Sequence, residues 1–324
     1  MATIYEVAAL AGVSPATVSR VMNGTKVSPE LAGLVRKAAR ELDFTPNRTA
    51  RTLRRQNSEV IALIIPDIEN PFFTSLARGV EDRAQASGYS VVLCNSDEDM
   101  GKEARYIDIA LSEHMAGVIL APASDHSDLS ALISRKRPVV AVDRGPHGFS
   151  IDAVTVDNRA GGVAAATALF DQGFLRVACI TGPSDVETAQ LRNEGWREVA
   201  ARRGDGSDLE ALLRHTNYRV EGGRAAMTEL LSLPEPPDAV VVANNLMGIG
   251  ALQALLAAGL TPPQFGLAVF GDLPFSPLAP SGITVIHLPA RQLGVTAATL
   301  LMERIGGDTQ PARTVVLRNE SAAT

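Results

Sequence analysis

Two cysteines, one tryptophan and five histidines in 324 residues leave little material for disulfide or metal chemistry. Cys94 and Cys179 lie far apart in apolar, strand-like stretches, so they read as small core residues in a reducing compartment. The histidines are scattered, with none of the spacing a zinc site uses. No apolar run reaches the ~20 residues needed to span a bilayer. The chain opens on a helix-like segment rather than a secretory leader, and the expectation is a cytoplasmic protein with no membrane partner. Nucleotide and hydrolase signatures are missing too: no GxGxxG after a strand, no GxxxxGK[ST], no GxSxG. No cofactor is implied, and no nucleophile or metal set supports an enzyme. There is no internal repeat or low-complexity tract, and the Pro-rich 233–238 stretch reads as a stiff surface connection.

A basic excess is also missing from the chain as a whole, whose formal charge is −6. Residues 1–57 nevertheless carry nine basic against four acidic side chains, a net +5, which leaves −11 for the remainder. Basic charge confined to one end is the footprint of phosphate binding. The same segment has helix punctuation. Thr3 and Glu6 form a capping box, Ile4, Val7, Ala8 and Ala11 share one face, and Gly12 stops the helix. Ser14 then caps a second helix with Pro15 at its first position. Val18, Val21 and Met22 face inward, leaving Pro15, Ala16, Thr17, Ser19, Arg20 and Asn23 outside. Ser28-Pro29 opens a third helix with Leu31, Leu34, Val35, Ala38 and Leu42 as its expected inner face. Two short helices around a tight turn make a helix-turn-helix, whose second helix enters the major groove. A plain three-helix domain would share the caps but not the charge split.

From Val60 onward apolar runs alternate with amphipathic stretches. Strands are expected at 60–65, 90–94, 117–120, 138–142, 153–156, 176–180, 238–242, 266–270, 283–287 and 313–317. Helices are expected at 72–87, 101–114, 128–135, 159–172, 187–203, 221–232, 245–258 and 290–305. Continuous runs such as VIALII suit strands of a parallel sheet buried on both faces. The alternation predicts a doubly wound α/β body, and its length predicts two subdomains. Ligands bind beyond the carboxyl ends of such strands. Asp67, Asn70, Asp143, Arg144, Asn244 and Asp272 follow strand ends, with Phe72 and Phe73 beside the first.

Taken together, TIYEVAALAGVSPATVSRVMNG, FTPNRTARTLRR, VIALIIPDIENPFF, VDNRAGG, RNEGW, VVANNLMGIGAL and ITVIHLP resemble the LacI/GalR family of bacterial transcription regulators over nearly the whole chain. The resemblance implies a helix-turn-helix head at 1–46 and a hinge helix at 47–57. It implies a two-lobed, periplasmic-binding-protein-like core at 58–324, with an N-lobe of 58–159 plus 289–318 and a C-lobe of 160–288. The chain would cross between lobes near 158–160, 287–290 and 317–320. A homodimer or tetramer on a palindromic operator is implied, and the absence of a leucine-heptad tail favours the dimer. Ser14 caps the recognition helix. Pro15 and Ala16 would lie nearest the base edges, Thr17 and Ser19 would reach phosphates or bases, Arg20 would donate to guanine, and Asn23 would touch phosphate. Asn47 would cap the hinge helix, Arg51, Arg54 and Arg55 would approach phosphates, and Leu53 would wedge into the minor groove at a central CpG step. Packing of Leu53 on the body is the other reading.

In the core, the resemblance points to Asp67, Asn70, Phe72, Phe73, Asp143, Arg192, Asn244, Asp272 and Leu288 around an effector. The chain departs from the common pattern where Asn244-Asn245 replaces Asn-Asp, where Gly271 replaces an aspartate, and where Leu288 replaces a glutamine. Losing those acceptors while keeping Arg192 leaves an expected cleft of lower acidity, which favours a sugar acid such as gluconate over a neutral sugar. The final RNESAAT is expected to be disordered at its end. The competing readings are a sugar-binding protein with no DNA role, a regulator answering a purine or other metabolite, and an enzyme on the same scaffold.

Overall fold

The computed structural model describes residues 2–22, 26–44, 58–273 and 282–321. The chain divides into two compact units, Met1–Ser58 and Glu59–Thr324.

In the first unit three helices pack around Val7, Ala8, Ala11, Val18, Val21, Val35, Ala38 and Ala39. Helix α1 (Ile4–Ala11) begins at a reciprocal cap. Thr3 Oγ1 accepts the Glu6 N–H at 3.3 Å, and the Glu6 carboxylate accepts the Thr3 N–H at 2.7 Å. It ends at Gly12, whose φ of 67° carries no steric penalty for glycine. Ser14 Oγ accepts the Thr17 N–H at 3.2 Å at the start of α2 (Pro15–Met22), and Ser28 caps α3 (Pro29–Glu41). The inner face of α3 differs from the one read from sequence: Leu31 and Leu34 are 38% and 50% exposed. The packed stripe runs through Ala32, Val35, Ala39 and Leu42, so mostly small residues meet the other helices and Leu31 and Leu34 fall out of phase with them.

The second unit holds two sheets. β1 (Val60–Ile65), β2 (Ser90–Asn95), β3 (Val118–Leu120), β4 (Val139–Val142), β5 (Asp152–Val156) and β11 (Thr314–Leu317) form one, in the order β11-β5-β4-β3-β1-β2. β6 (Val177–Thr181), β7 (Leu213–His215), β8 (Ala239–Val242), β9 (Gly266–Phe270), β10 (Ile283–His287) and β12 (Glu320–Ser321) form the other, in the order β12-β10-β9-β8-β6-β7. Every pairing is parallel except β10 with β12. Helices α4 (Pro71–Ala86), α5 (Met100–Ser112), α6 (Ser130–Ser134), α7 (Asn158–Asp171), α8 (Glu187–Arg203), α9 (Val220–Leu231), α10 (Asn245–Ala257) and α11 (Ala290–Ile305) make the connections. Ile61 through Ile65 are fully buried, as a strand covered on both faces requires. Two strands were not legible in the sequence. β7 is a three-residue strand without an apolar run, and β12 places Glu320–Ser321 beside β10 where no strand was expected; the last residues of the RNESAAT end lie outside the described residues. The chain passes between sheets after β5, after β10 and after β11, so α11 and β11 return to the first lobe.

Three helix pairs in this unit meet through one glycine from each partner. A Cβ on Gly79 of α4 would stand 2.2 Å from the Arg291 carbonyl, and one on Gly294 of α11 would stand 2.1 Å from that of Leu76. Gly162 and Gly195 relate α7 and α8 in the same way, at 2.3 Å from the Arg192 and Arg159 carbonyls. Gly223 and Gly250 relate α9 and α10, at 2.3 and 1.9 Å from the Met247 and Val220 carbonyls. These distances lie inside van der Waals contact, so the backbones touch where side chains would ordinarily keep them apart.

Asp152 ties the returning segment to β5. Its buried carboxylate accepts from Arg304 Nε and Nη2 at 2.8 and 2.7 Å and from the Arg313 N–H at 2.8 Å. Burial alone would raise this carboxyl; the Arg304 and Arg313 bonds hold it below its ordinary range. The folded chain therefore binds this proton less tightly than the unfolded one. The stabilisation is present above about pH 4 and is lost as pH falls through the lowered value. Asp152→Asn is expected to destabilise the protein at pH 7 by roughly 2–3 kcal/mol, with the gap narrowing in urea melts as pH falls below about 4. A gap independent of pH would remove the carboxylate from this account.

Candidate effector cleft and DNA-reading head

The carboxyl ends of both sheets face a cleft lined by Asp67, Asn70, Phe72, Phe73, Glu98, Asp143, Arg144, Thr188, Arg192, Tyr218, Asn244, Asn245, Phe270, Gly271 and Leu288. It is narrow, with about 40 Å³ open to the centres of water molecules. Of the nine core residues singled out from sequence, all but Asp272 line it. Asp272 is 65% exposed and pairs with His287 at the surface. Its neighbour Gly271 occupies the cleft wall instead. Arg144 and Asn245, noted in the sequence after strand ends, join the lining, and Glu98, Thr188, Tyr218 and Phe270 join it without having been singled out. Glu98 brings the lining carboxylates to three, with Asp67 and Asp143, but it comes with its ion-pair partner Arg144, so the pair adds no net charge to the cleft.

Local chain geometry presents these groups. Asn70 and Asn244 cap α4 and α10 through their Oδ1 atoms, on the Phe72 N–H at 2.9 Å and the Met247 N–H at 2.7 Å. Asn244 Nδ2 also donates to the Tyr218 carbonyl at 3.0 Å. Seven described non-glycine residues have positive φ, and Glu98, Asp143 and Tyr218 among them line the cleft. Backbone strain of this kind concentrates where side chains are aimed at a ligand.

The electrostatics divide into spent and unspent groups. Arg144 donates to both Glu98 oxygens at 2.8 Å and to the Pro122 and Ala123 carbonyls at 2.8 and 3.0 Å. Burial by itself would lower its pKa, but Glu98 and Asp143 hold it above the ordinary value. Arg192, 5% exposed, donates Nε to Asn158 at 2.8 Å and Nη1 to the Ala243 carbonyl at 2.5 Å, and lies over the Phe270 ring at 4.7 Å. Burial lowers its pKa, and no hydrogen bond from its Nη2 to a protein acceptor is seen among the described residues. Burial likewise pushes Asp143 above the usual carboxylate range against the pull of Arg144 and Arg192. The nearest cationic nitrogen to Asp143 is Arg144 Nε at 3.7 Å, and no described residue hydrogen-bonds its carboxylate. Asp143 and Arg192 thus keep an acceptor and a donor for a ligand.

Contacts on either side of the cleft hold the lobes together. Arg219 pairs with Asp67 at 3.0 Å and Asp97 at 2.6 Å. Opposite, Asp125 accepts the Glu187 N–H at 3.0 Å and Gln190 Nε2 at 3.1 Å, and Glu187 accepts the Gly145 N–H at 2.6 Å.

In the head, Ala16 and Arg20 are exposed on α2, Pro15, Thr17 and Ser19 are partly exposed, and Ser14 is exposed at the cap. Asn23, Asn47, Arg51, Leu53, Arg54 and Arg55 lie outside the described residues. No described helix is long and apolar enough to cross a membrane, and no cluster of metal-ligating side chains occurs among the described residues.

Comparison with known proteins accords with this architecture. Residues 3–47 match the model of bacterial regulatory proteins of the lacI family, and residues 58–320 match that of periplasmic binding proteins and the sugar-binding domain of the LacI family. The ribose operon repressor of Escherichia coli K12 is 36% identical over 320 residues, 96% of this chain and 94% of that one. A transcriptional regulator CelR–cellobiose complex is 31% identical, covers 100% of this chain and 99% of its own, and superposes with a TM-score of 0.75. The lac repressor dimer bound to operator and an anti-inducer, 24% identical with coverage of 98% and 97%, shares the fold at a TM-score of 0.85. These homologues are transcriptional regulators rather than enzymes. The chain belongs to the LacI family of bacterial regulatory proteins and is a DNA-binding transcriptional repressor controlled by a small-molecule effector.

Proposed function

We propose that the protein is a homodimeric repressor of a palindromic operator, controlled by a neutral, pentose-sized sugar held between the lobes. The observation that carries the effector reading is the unspent Asp143 carboxylate beside Asp67 and Glu98. A sugar hydroxyl donates to a carboxylate and accepts from a guanidinium, so a vicinal diol satisfies Asp143 and Arg192 together. A ligand carboxylate would be drawn to Arg192 but would face Asp143, the lining acid that no arginine hydrogen-bonds, in a low-dielectric cleft. The limited space suits a small ligand, and the 36% identical relative is a ribose operon repressor. Phe72 and Phe73 supply an apolar face for the ring, and Asn70 Nδ2 a further donor.

At the other end, Arg20 would read guanine from α2. Pro15 and Ala16 would make apolar base contacts, and Ser14, Thr17, Ser19 and Asn23 would contact the backbone or bases. The basic 47–55 segment, with Leu53 as a minor-groove wedge at a central CpG, would report the lobe arrangement to the DNA. The coupling between effector and operator should be about 1–3 kcal/mol.

Calorimetry on the full-length protein with D-ribose and D-gluconate tests the effector class. D-ribose is expected to bind, and Asp143→Asn to weaken it by about 10- to 100-fold, the loss of one charge-assisted hydrogen bond. D-gluconate binding more tightly than neutral sugars, and gaining affinity in Asp143→Asn, would turn the assignment to a sugar acid.

A further inference from the structure

Arg192 is fixed at two points, and one of them lies where the chain crosses between the lobes. Its Nη1 bond ends on the Ala243 carbonyl, within the second lobe. Its Nε bond ends on Asn158, the first residue of α7 and two residues past the end of β5. Asn158 is 2% exposed and uses its amide in both directions. Oδ1 accepts from Arg192 at 2.8 Å, and Nδ2 donates at 3.3 Å to the carbonyl of Val156, the last residue of β5 in the first sheet. Among the described residues, no other side chain hydrogen-bonds both the Arg192 guanidinium and the first sheet.

The crossing that Asn158 occupies is stitched to another. The Asp157 N–H donates at 3.1 Å to the carbonyl of Leu317, the last residue of β11. Asn319, on the way back to the second sheet, donates Nδ2 to the Asp157 carbonyl at 2.8 Å. Gly161 permits the close approach: a Cβ there would stand 2.7 Å from both Asn319 Nδ2 and Cε1 of Phe270, the ring over which Arg192 lies. Two of the three crossings and the guanidinium with a donor free toward the cleft thus meet around Asn158.

Resting on the reading of Arg192 as an effector donor, we infer that Asn158 is a positioning residue that aims Arg192 at the effector and carries the guanidinium's position to the crossing. From there it reaches the first lobe, which follows the DNA-reading head in the chain. A guanidinium is a rigid plane, so a ligand acceptor drawn to Nη2 turns Nε as well. Asn158 follows or loses a charge-assisted bond, and its other end sits on the few residues whose dihedrals set the angle between the lobes.

The test is calorimetry, with operator mobility shifts at saturating ligand, on the full-length protein with D-ribose. Asn158→Leu, similar in shape but unable to hydrogen-bond, is expected to weaken D-ribose by about 10- to 100-fold. Once saturated, it is expected to change operator affinity by about 2-fold or less, against about 5- to 150-fold in the parent. Asn158→Asp still accepts from Arg192, and a carboxylate suits the first turn of α7. It is expected to hold D-ribose within about 3-fold of the parent yet to lose the operator response, because it cannot donate to Val156. Parental D-ribose affinity in Asn158→Leu would overturn the inference, as would a full operator response in Asn158→Asp; both leave the neutral-sugar reading standing. If D-gluconate binds the parent and D-ribose does not, that reading falls, and Asn158→Leu with D-gluconate decides the inference by the same two measures. Binding of neither compound overturns both.

Discussion

Arg20→Ala is expected to lower the affinity of the full-length repressor for its operator by about 100- to 10,000-fold without moving its melting temperature. Arg20 is exposed in the last turn of α2 and absent from the head core. Its removal therefore costs little in packing, and an exposed substitution away from caps usually stays within about ±0.5 kcal/mol. A bidentate arginine–guanine contact supplies about 1–3 kcal/mol of discrimination, and a dimer on a palindrome makes it twice. Mobility shifts on specific and scrambled duplexes, at two salt concentrations, separate readout from simple charge. Base readout predicts that specific binding collapses onto the nonspecific level. A uniform loss on both duplexes, with a shallower salt dependence, would reassign Arg20 to phosphate.

The second large effect lies in the helix contacts of the body, where two principles make opposite predictions. Replacing a mid-helix glycine by alanine ordinarily stabilises by about 0.5–1 kcal/mol. Gly33 in α3 meets that expectation, because nothing stands within 4 Å of a Cβ there. Gly195→Ala should do the reverse. Its Cβ would lie 2.3 Å from the Arg159 carbonyl and 2.7 Å from the Val163 nitrogen, both backbone atoms that move only with α7. Overpacking costs about 1–3 kcal/mol for a methylene in a side-chain core, and a rigid backbone partner places this site at or beyond the upper end. Parting α7 from α8 also draws Arg192, on α8, from its Asn158 partner on α7. Loss of effector affinity beyond the loss of stability is therefore expected. Thermal melts of Gly33→Ala and Gly195→Ala, with calorimetry on the latter, check both signs; a Gly195→Ala protein as stable as the parent would show that the helices can slide apart freely.

The helix-turn-helix, the alternation of strands and helices, and the polar residues after strands were legible because each rests on local rules of caps, turn glycines and apolar runs, whereas Arg192 and Leu288 were placed in the cleft by the family resemblance. What escaped depends on partners distant in sequence. Tyr218 was missed with β7, whose three residues show no periodicity. Glu98 enters the cleft because the chain after β2 takes positive φ at Asp97 and Glu98. Asp272 and Gly271 exchanged places because one residue of phase at a strand end decides which side chain meets the ligand. Leu31 and Leu34 seemed core residues by size, but the alanines of three short helices set the packing distance. The glycine pairs could not have been read at all, since each glycine marks a contact only once its partner helix is known.

The return of α11 and β11 to the first lobe sets an order for the nascent chain. Residues 59–157 leave the ribosome before the second lobe, yet Gly79 of α4 has no partner until Gly294 is made, and Asp152 waits for Arg304 and Arg313. The second lobe, nearly continuous from Asn158 to His287, waits only for the two-residue β12 at its edge. Translation thus holds a half-built sheet, with β5 as an open edge, while its neighbour closes, a state in which unpaired strands invite wrong partners. The part of the body synthesised first is the part that waits longest for its core partners.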